Sequence, residues 1–77
     1  MEIEVKGYAS MAMYTSHLGR KNRLDIPEGS NIGDLLRLLR VPEDLNKVII
    51  VNNRHQTETY VLAPNDVVAL LPSLAGG

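Results

Sequence analysis

The chain has 77 residues, which allows one domain with a single modest core. It has no cysteine, which excludes disulfides, thiolate metal sites and a cysteine nucleophile, and which fits a cytoplasmic protein. Eight basic residues against nine acidic ones argue against a nucleic-acid partner, and no apolar run approaches the roughly 20 residues of a membrane span.

The first predicted element is a half-buried strand with no signal-peptide pattern in front of it. Residues 2–6 alternate, with Ile3 and Val5 on one side and charged residues on the other. Residues 22–26 show a second, shorter alternation. Between the two strands, residues 7–19 carry no Asp, Glu, Lys or Arg. Their pattern fits a short helix and an irregular hairpin equally well.

A helix is the clearest element and follows the turn "PEG". Asn31 suits the N-cap position, and Asp34 places an acid in the first turn, where the helix dipole favours it. Val41 precedes a proline and should be extended, so the helix should end before it. Four residues at helical spacing predict one apolar face: Ile32, Leu35, Leu36 and Leu39.

The second half of the chain predicts strands separated by turns. The run at 47–53 is rich in β-branched residues and predicts a strand covered on much of both faces. A turn over residues 52–55 leads to a weaker strand at 57–62. Asn65 then takes a left-handed position, and the apolar run 67–71 predicts a central strand. We expect an α+β, β-grasp (ubiquitin-like) fold, a mixed sheet of four to five strands with one helix on one face.

Few side chains indicate chemistry. His17 and His55 are far apart in the sequence and are interpreted as solvated residues, with no metal site and no catalytic group predicted. The basic cluster at 20–23 indicates a solvated face or a contact with an acidic partner. Met11 and Met13 are interpreted as core filler or as part of a partner contact, and the two roles can coexist.

The last six residues, from Pro72 to Gly77, show the clearest sign of function. Pro72 lacks the N–H needed for a ladder hydrogen bond and tends to end a strand. We therefore predict a domain over residues 1–72 and a flexible tail over 73–77. Without side chains, Gly76 and Gly77 could thread a narrow channel, and the Gly77 carboxylate is ionised at neutral pH. Such a carboxylate can attack the α-phosphate of ATP.

The sequence resembles the MoaD/ThiS sulfur carriers, which have the ubiquitin fold. The resemblance covers nearly the whole chain and is carried by "PEGSNIGDLLRLL", "VIIVNNR" and "LAPNDVVALLPSLAGG". Family members typically have Val-Asn-Gly, then Asp-Gly-Asp, then Pro-Pro-Val-x-Gly-Gly at these places. Here Asn53 replaces the first glycine, residues 64–66 replace the Asp-Gly-Asp turn, and residues 72–74 replace Pro-Pro-Val.

The resemblance implies a mechanism. An E1-like adenylyltransferase would use ATP to activate Gly77, and an external sulfur donor would convert it to a thiocarboxylate. The tail residues that would thread the partner's active site are Ser73, Leu74, Ala75 and Gly76. The protein would be a co-substrate without catalytic machinery and without a bound cofactor.

The resemblance also indicates a pathway. Tyr8-Ala9, the long segment that follows and the ending "LLPSLAGG" are similar to the small subunit of molybdopterin synthase. Its large catalytic subunit would then be the sulfur acceptor. Thiamin thiazole synthesis and tRNA thiolation remain alternatives.

Two further alternatives concern the fate of Gly77 and of the sheet. A ubiquitin-like modifier would join Gly77 to lysines of target proteins. A plain interaction domain would use the sheet face opposite the helix instead. For either the carrier or the interaction domain, four residues are predicted to lie on that docking face: Ile49, Val51, Val68 and Leu70.

Overall fold

The protein folds as a five-stranded mixed sheet with one helix, in a computed structural model that describes residues 1–19 and 21–73. The strands and the helix are, in chain order, β1 (Glu2–Gly7), β2 (Arg23–Asp25), α1 (Ile32–Leu38), β3 (Lys47–Val51), β4 (Arg54–His55) and β5 (Val67–Pro72). Two short 3₁₀ helices, Ala9–Tyr14 and Ser16–Leu18, lie between β1 and β2.

The last strand occupies the centre of the sheet. The strand order is β2-β1-β5-β3-β4, with β5 parallel to β1 and antiparallel to β3. Both predictions, the central position of the apolar run and the mixed β-grasp sheet, are confirmed. One face of the sheet packs against α1, and the core residues that β1, β3 and β5 place there are at most 5% exposed.

The helix is fixed at both ends by local hydrogen bonds. Asn31 and Asp34 form a capping box, because each backbone N–H donates to the other side chain, at 3.0 and 2.8 Å. At the other end Arg40 has a φ of 64°, and the Val41 N–H donates to the Leu36 carbonyl at 2.9 Å. This is a Schellman ending, so the predicted start, end and apolar face of the helix are confirmed.

Two predictions between β3 and β5 are wrong. The turn predicted over 52–55 is confined to Asn52 and Asn53, both with positive φ, and the next two residues form β4. The strand predicted over 57–62 is reduced to one isolated bridge to Asn31. Its Glu58 and Tyr60 carbonyls instead accept hydrogen bonds from the first N–H groups of α1, so they are not available to the sheet.

The uncharged segment after β1 is helical, and close packing holds it in place. The Gly7 N–H donates to Thr15 Oγ1 at 3.1 Å, and Thr15 is buried beneath the segment. Met11 is 1% exposed and Met13 is 70% exposed. The first methionine is therefore core filler, while the second is exposed, and its contact with a partner stays a prediction.

Candidate functional site: the end of β5 and the open sheet face

The end of β5 is the part of the described structure from which the chain continues to Gly77. Pro72 lies opposite Lys47 in the register of β3 and β5. The Ser73 N–H donates to the Asn46 carbonyl at 3.4 Å. Antiparallel pairs alternate between hydrogen-bonded and non-hydrogen-bonded, so Pro72 falls at a position that needs no N–H. The prediction that the strand ends at Pro72 is confirmed, and one further hydrogen bond, from Ser73 to Asn46 just before β3, follows it.

The predicted threading tail extends beyond the described part of the chain. Leu74, Ala75, Gly76 and Gly77 lie outside the described residues, so their threading and the reaction at Gly77 stay predictions. Ser73, the first residue of the predicted tail, is half-buried and hydrogen-bonded.

The four residues predicted to lie on the docking face are on the other side of the sheet. Ile49, Val51, Val68 and Leu70 are 5%, 2%, 0% and 0% exposed, and they pack under α1. The prediction that they lie opposite the helix is therefore wrong. Every position of 67–71 is apolar, so periodicity does not reveal which face is buried. The register decides: Val68 pairs with Val5, which points into the core.

The face opposite the helix carries the alternate residues of the same strands. We call it the open face; it consists of Val48, Ile50, Val67, Ala69 and Leu71. Val48 pairs with Leu71 and Ile50 pairs with Ala69, which makes a continuous apolar strip along β3 and β5. No described element covers this strip, and Val67 at its start is 38% exposed. The strip ends beside the point where the chain leaves β5.

A shallow depression of about 360 Å³ crosses the open face. Tyr8 borders it and is 47% exposed, although the Tyr8 backbone N–H is bonded to the Leu70 carbonyl at 2.9 Å. The depression is lined by Lys6, Tyr8, Ile50, Asn52, Asn53, Val67 and Ala69. An apolar side chain of a partner would fit this combination of an apolar floor and a polar border.

Charged side chains occupy the β1 and β2 half of the same sheet surface. Arg23 donates to Glu2 at 2.8 and 3.1 Å, and Lys6 lies 3.2 Å from Glu4. Arg23 also donates to the Asn65 side chain at 3.0 Å. The predicted basic cluster is thus partly neutralised by neighbouring acids, while Arg20 lies outside the described residues. The pairing leaves the apolar strip as the main feature that a partner could recognise.

A buried polar cluster, which the sequence reasoning missed, fixes the start of β5. Asp66 is 6% exposed and accepts hydrogen bonds from the Asn52 amide, the Tyr60 hydroxyl and the Ala63 N–H at 2.8, 3.1 and 2.8 Å. Burial raises the pKa of Tyr60, and the hydrogen bond to the Asp66 carboxylate adds to that increase. Asn65, with a φ of 67°, makes the turn before it as predicted. The one indication of this cluster in the sequence is Asp66, an acidic residue directly before an apolar strand.

In the described part of the chain, neither the two histidines nor the acidic side chains form a candidate site. His17 is exposed in the second 3₁₀ helix, and His55 is exposed in β4. Within residues 1–19 and 21–73, no three His, Cys, Asp or Glu side chains are grouped so that they could hold a metal ion. Among the helices of those residues, none is both long and apolar enough to span a membrane.

Comparison with protein families decides the classification. The ThiS family model matches residues 12–77. The chain belongs to the ThiS family. The predicted membership of the MoaD/ThiS sulfur-carrier family is confirmed. A sequence comparison with curated proteins gives no match.

Solved structures similar to this ThiS-family chain confirm its fold. A crystal structure of SAMP1 from Haloferax volcanii matches with a TM-score of 0.72 and 23% identity over 100% of both chains. A second structure of that small archaeal modifier protein gives 0.72 and 22%, over 95% of this chain and 98% of that one. A putative molybdopterin converting factor, subunit 1, from Pyrococcus furiosus gives 0.71 and 22%, over 96% and 99%.

Proposed function

We propose that this protein carries sulfur as a thiocarboxylate on Gly77, for the synthesis of molybdopterin. The observation that carries the proposal is the family match, which extends through both terminal glycines. The structure supports it with an uncovered apolar strip that leads to the end of β5. A partner that binds this strip would hold the domain while the residues after Ser73 reach its active site.

The chemistry has two steps, and both take place in a partner enzyme. A carboxylate oxygen of Gly77 attacks the α-phosphorus of ATP, and the bond to the β-phosphate breaks to release pyrophosphate. A sulfur nucleophile then attacks the acyl carbon, and the C–O bond to AMP breaks. Because the chain has no cysteine to hold a persulfide, the sulfur comes from outside it. The proposed role is that of a non-catalytic carrier whose partner, an E1-like adenylyltransferase, binds the ATP.

The open face takes the docking role first assigned to the buried residues. Its apolar strip and depression resemble the core of a protein–protein interface, with paired charges along one side. We propose that the adenylating enzyme and the large catalytic subunit of molybdopterin synthase bind this face in turn. One face can serve both, because loading and delivery of the sulfur happen at different times.

The molybdopterin assignment depends on the segment after β1. That segment forms two 3₁₀ helices, the first of them beside β1 and β5, and the resemblance described above associates a long segment at this place with the synthase small subunit. A second candidate function is protein modification through Gly77. It is favoured by the likeness to SAMP1 from Haloferax volcanii, a small archaeal modifier protein.

Intact mass spectrometry tests the proposal. The protein is incubated with ATP, a sulfide source and the E1-like enzyme encoded by the same genome. We expect a mass increase equal to the exchange of one oxygen for one sulfur, and none in a chain lacking Gly77. The loaded protein should then convert a molybdopterin precursor in the presence of the synthase large subunit.

Three results separate the candidates. Conversion of the precursor supports the carrier function in molybdopterin synthesis. Lysine-linked adducts that require Gly77, without precursor conversion, would favour the modifier. An unchanged mass with the active cognate enzyme would refute the carrier function.

A further inference from the structure

Lys47 is a buried lysine at the end of the sheet where β5 leaves it. Its side chain is 6% exposed, whereas that of Lys6 is 44% exposed and Lys21 lies on the surface. A buried ammonium group is expensive unless its hydrogen bonds are satisfied. Lys47 Nζ donates to the Leu45 carbonyl at 2.9 Å and lies 3.8 Å from a Glu58 carboxylate oxygen. The distance from the ammonium group to Glu58 is too long for this ion pair to explain why Lys47 is buried.

The position of Lys47 in the register gives a better explanation. Lys47 pairs directly with Pro72, and the neighbouring hydrogen bond joins Ser73 to Asn46. The Lys47–Pro72 pair is therefore of the non-hydrogen-bonded type, in which the side chains approach most closely. By alternation, both side chains point to the same face as Ile49 and Leu70.

The ammonium group of Lys47 thus closes a small loop around Asn46. It bonds to the carbonyl of the residue before Asn46, while Asn46 presents its own carbonyl to Ser73. The Leu45 N–H is bonded in turn to the Pro42 carbonyl at 3.2 Å, which attaches the loop to the segment after α1. The backbone that holds Ser73 is therefore itself held from the core side by one buried cation.

We propose that Lys47 is a positioning residue that fixes the backbone at Ser73 and so orients the chain that leads to Gly77. The proposal rests on the function proposed above. A partner that has bound the domain must still receive the Gly77 carboxylate in its active site. The probability that the carboxylate reaches this site depends on the conformational freedom of the residues that connect it to β5. Restricting the first of them raises that probability without adding any contact to the partner.

The experiment compares Lys47→Met with Lys21→Met as a matched control. Both variants remove an ammonium group and keep most of the apolar stem, and Lys21 is exposed and distant from Pro72 in the sheet order. The first readout is amide hydrogen exchange by NMR. In Lys47→Met we expect Ser73 to exchange at least about fivefold faster, with Val68 in mid-strand unchanged within about twofold.

The second readout is steady-state pyrophosphate release by the E1-like enzyme. For Lys47→Met we expect kcat to fall at least about fivefold, with the KM for the carrier unchanged within about twofold, because docking on the open face is intact. A merely destabilised variant would give the opposite split, since partial unfolding lowers the effective carrier concentration and raises the apparent KM. Should Lys47→Met fail to fold, Lys47→Gln, neutral and one bond shorter, takes its place.

Ser73 exchange and kcat both within about twofold of wild type, in a folded variant, would overturn the inference. Faster Ser73 exchange with an unchanged kcat would also overturn it, because the loop would then not affect the reaction. If the wild-type chain is not adenylated while Ser73 responds to the substitution, the proposed function fails, and the hold of Lys47 on Ser73 is still supported.

Discussion

Gly7→Ala tests the close packing between β1 and the first 3₁₀ helix. A Cβ atom at this position would lie 2.4 Å from the Met11 carbonyl oxygen, 2.8 Å from its carbon and 2.9 Å from Thr15 Oγ1. Two of these three atoms belong to the backbone and cannot rotate away. The helix must therefore move outward, and the hydrogen bond from Gly7 to Thr15 is lost with that movement.

The magnitude follows from three contributions. Overpacking at a rigid contact costs about 3 kcal/mol, at the upper end of the usual range. Loss of the hydrogen bond adds about 1 kcal/mol. The lower entropy of the unfolded alanine chain offsets about 0.7 kcal/mol. We expect the free energy of unfolding to fall by about 3 kcal/mol, which for a chain of this length lowers Tm by about 15 °C.

Urea unfolding followed by circular dichroism measures this change, with Gly33→Ala as the control. Gly33 is buried in α1, but its nearest neighbour for an added Cβ is the Asn31 side chain at 3.3 Å, and no positive φ requires glycine there. Helix propensity favours alanine, while the small shift required of the Asn31 capping oxygen opposes it, so we expect Gly33→Ala to change the free energy of unfolding by less than about 1 kcal/mol. Equal stability of Gly7→Ala and wild type would refute the packing derived for residues 7–15.

Other substitutions test the two faces and the buried cluster. Ile50→Asp on the open face should cost only about 1 kcal/mol in urea unfolding. It should also raise the KM for the adenylating enzyme at least about tenfold. Leu70→Ala in the core should cost about 4 kcal/mol by the same unfolding assay. Tyr60→Phe removes the hydrogen bond to Asp66 and should cost about 1 kcal/mol at neutral pH. The folded pKa of Tyr60 is raised, so its contribution to the free energy of unfolding is complete below the ordinary value of 10.0 and is lost as the pH rises through the folded pKa. In unfolding curves measured at alkaline pH, Tyr60→Phe should not show this loss. Ala9→Gly should raise the free energy of unfolding by about 1 kcal/mol in urea, since Ala9 has a φ of 52°.

Local signals were sufficient for the helix and for the turn at Asn65. The cap at Asn31, the left-handed backbone at Asn65 and the apolar helix face each depend on residues within one or two turns of one another. The strand predicted over 57–62 failed because its carbonyls have a distant competitor. The first N–H groups of α1 take them, and strand propensity carries no information about that contact.

The candidate site was predicted in part. The two terminal glycines and Pro72 led to the prediction of a reactive Gly77 after the end of β5, and the family match extends over both places. The docking face was predicted on the wrong side, and the Asp66 cluster and the role of Lys47 were not predicted at all. The docking face, the Asp66 cluster and the position of Lys47 all depend on which strands are neighbours in the sheet. Lys47 lies beside Pro72, for example, only because β3 runs antiparallel to β5.

The sequence by itself therefore determined the kind of elements, the class of fold and the family, because these follow from local pattern and from motifs. The tertiary structure alone decided which apolar residues are buried. In β3 and β5 consecutive positions are apolar, so a shift of one residue would exchange the two faces without changing the pattern. The pairing of Val5 with Val68 removes that ambiguity, and it leaves Ile50 and Ala69 on the uncovered side of the sheet.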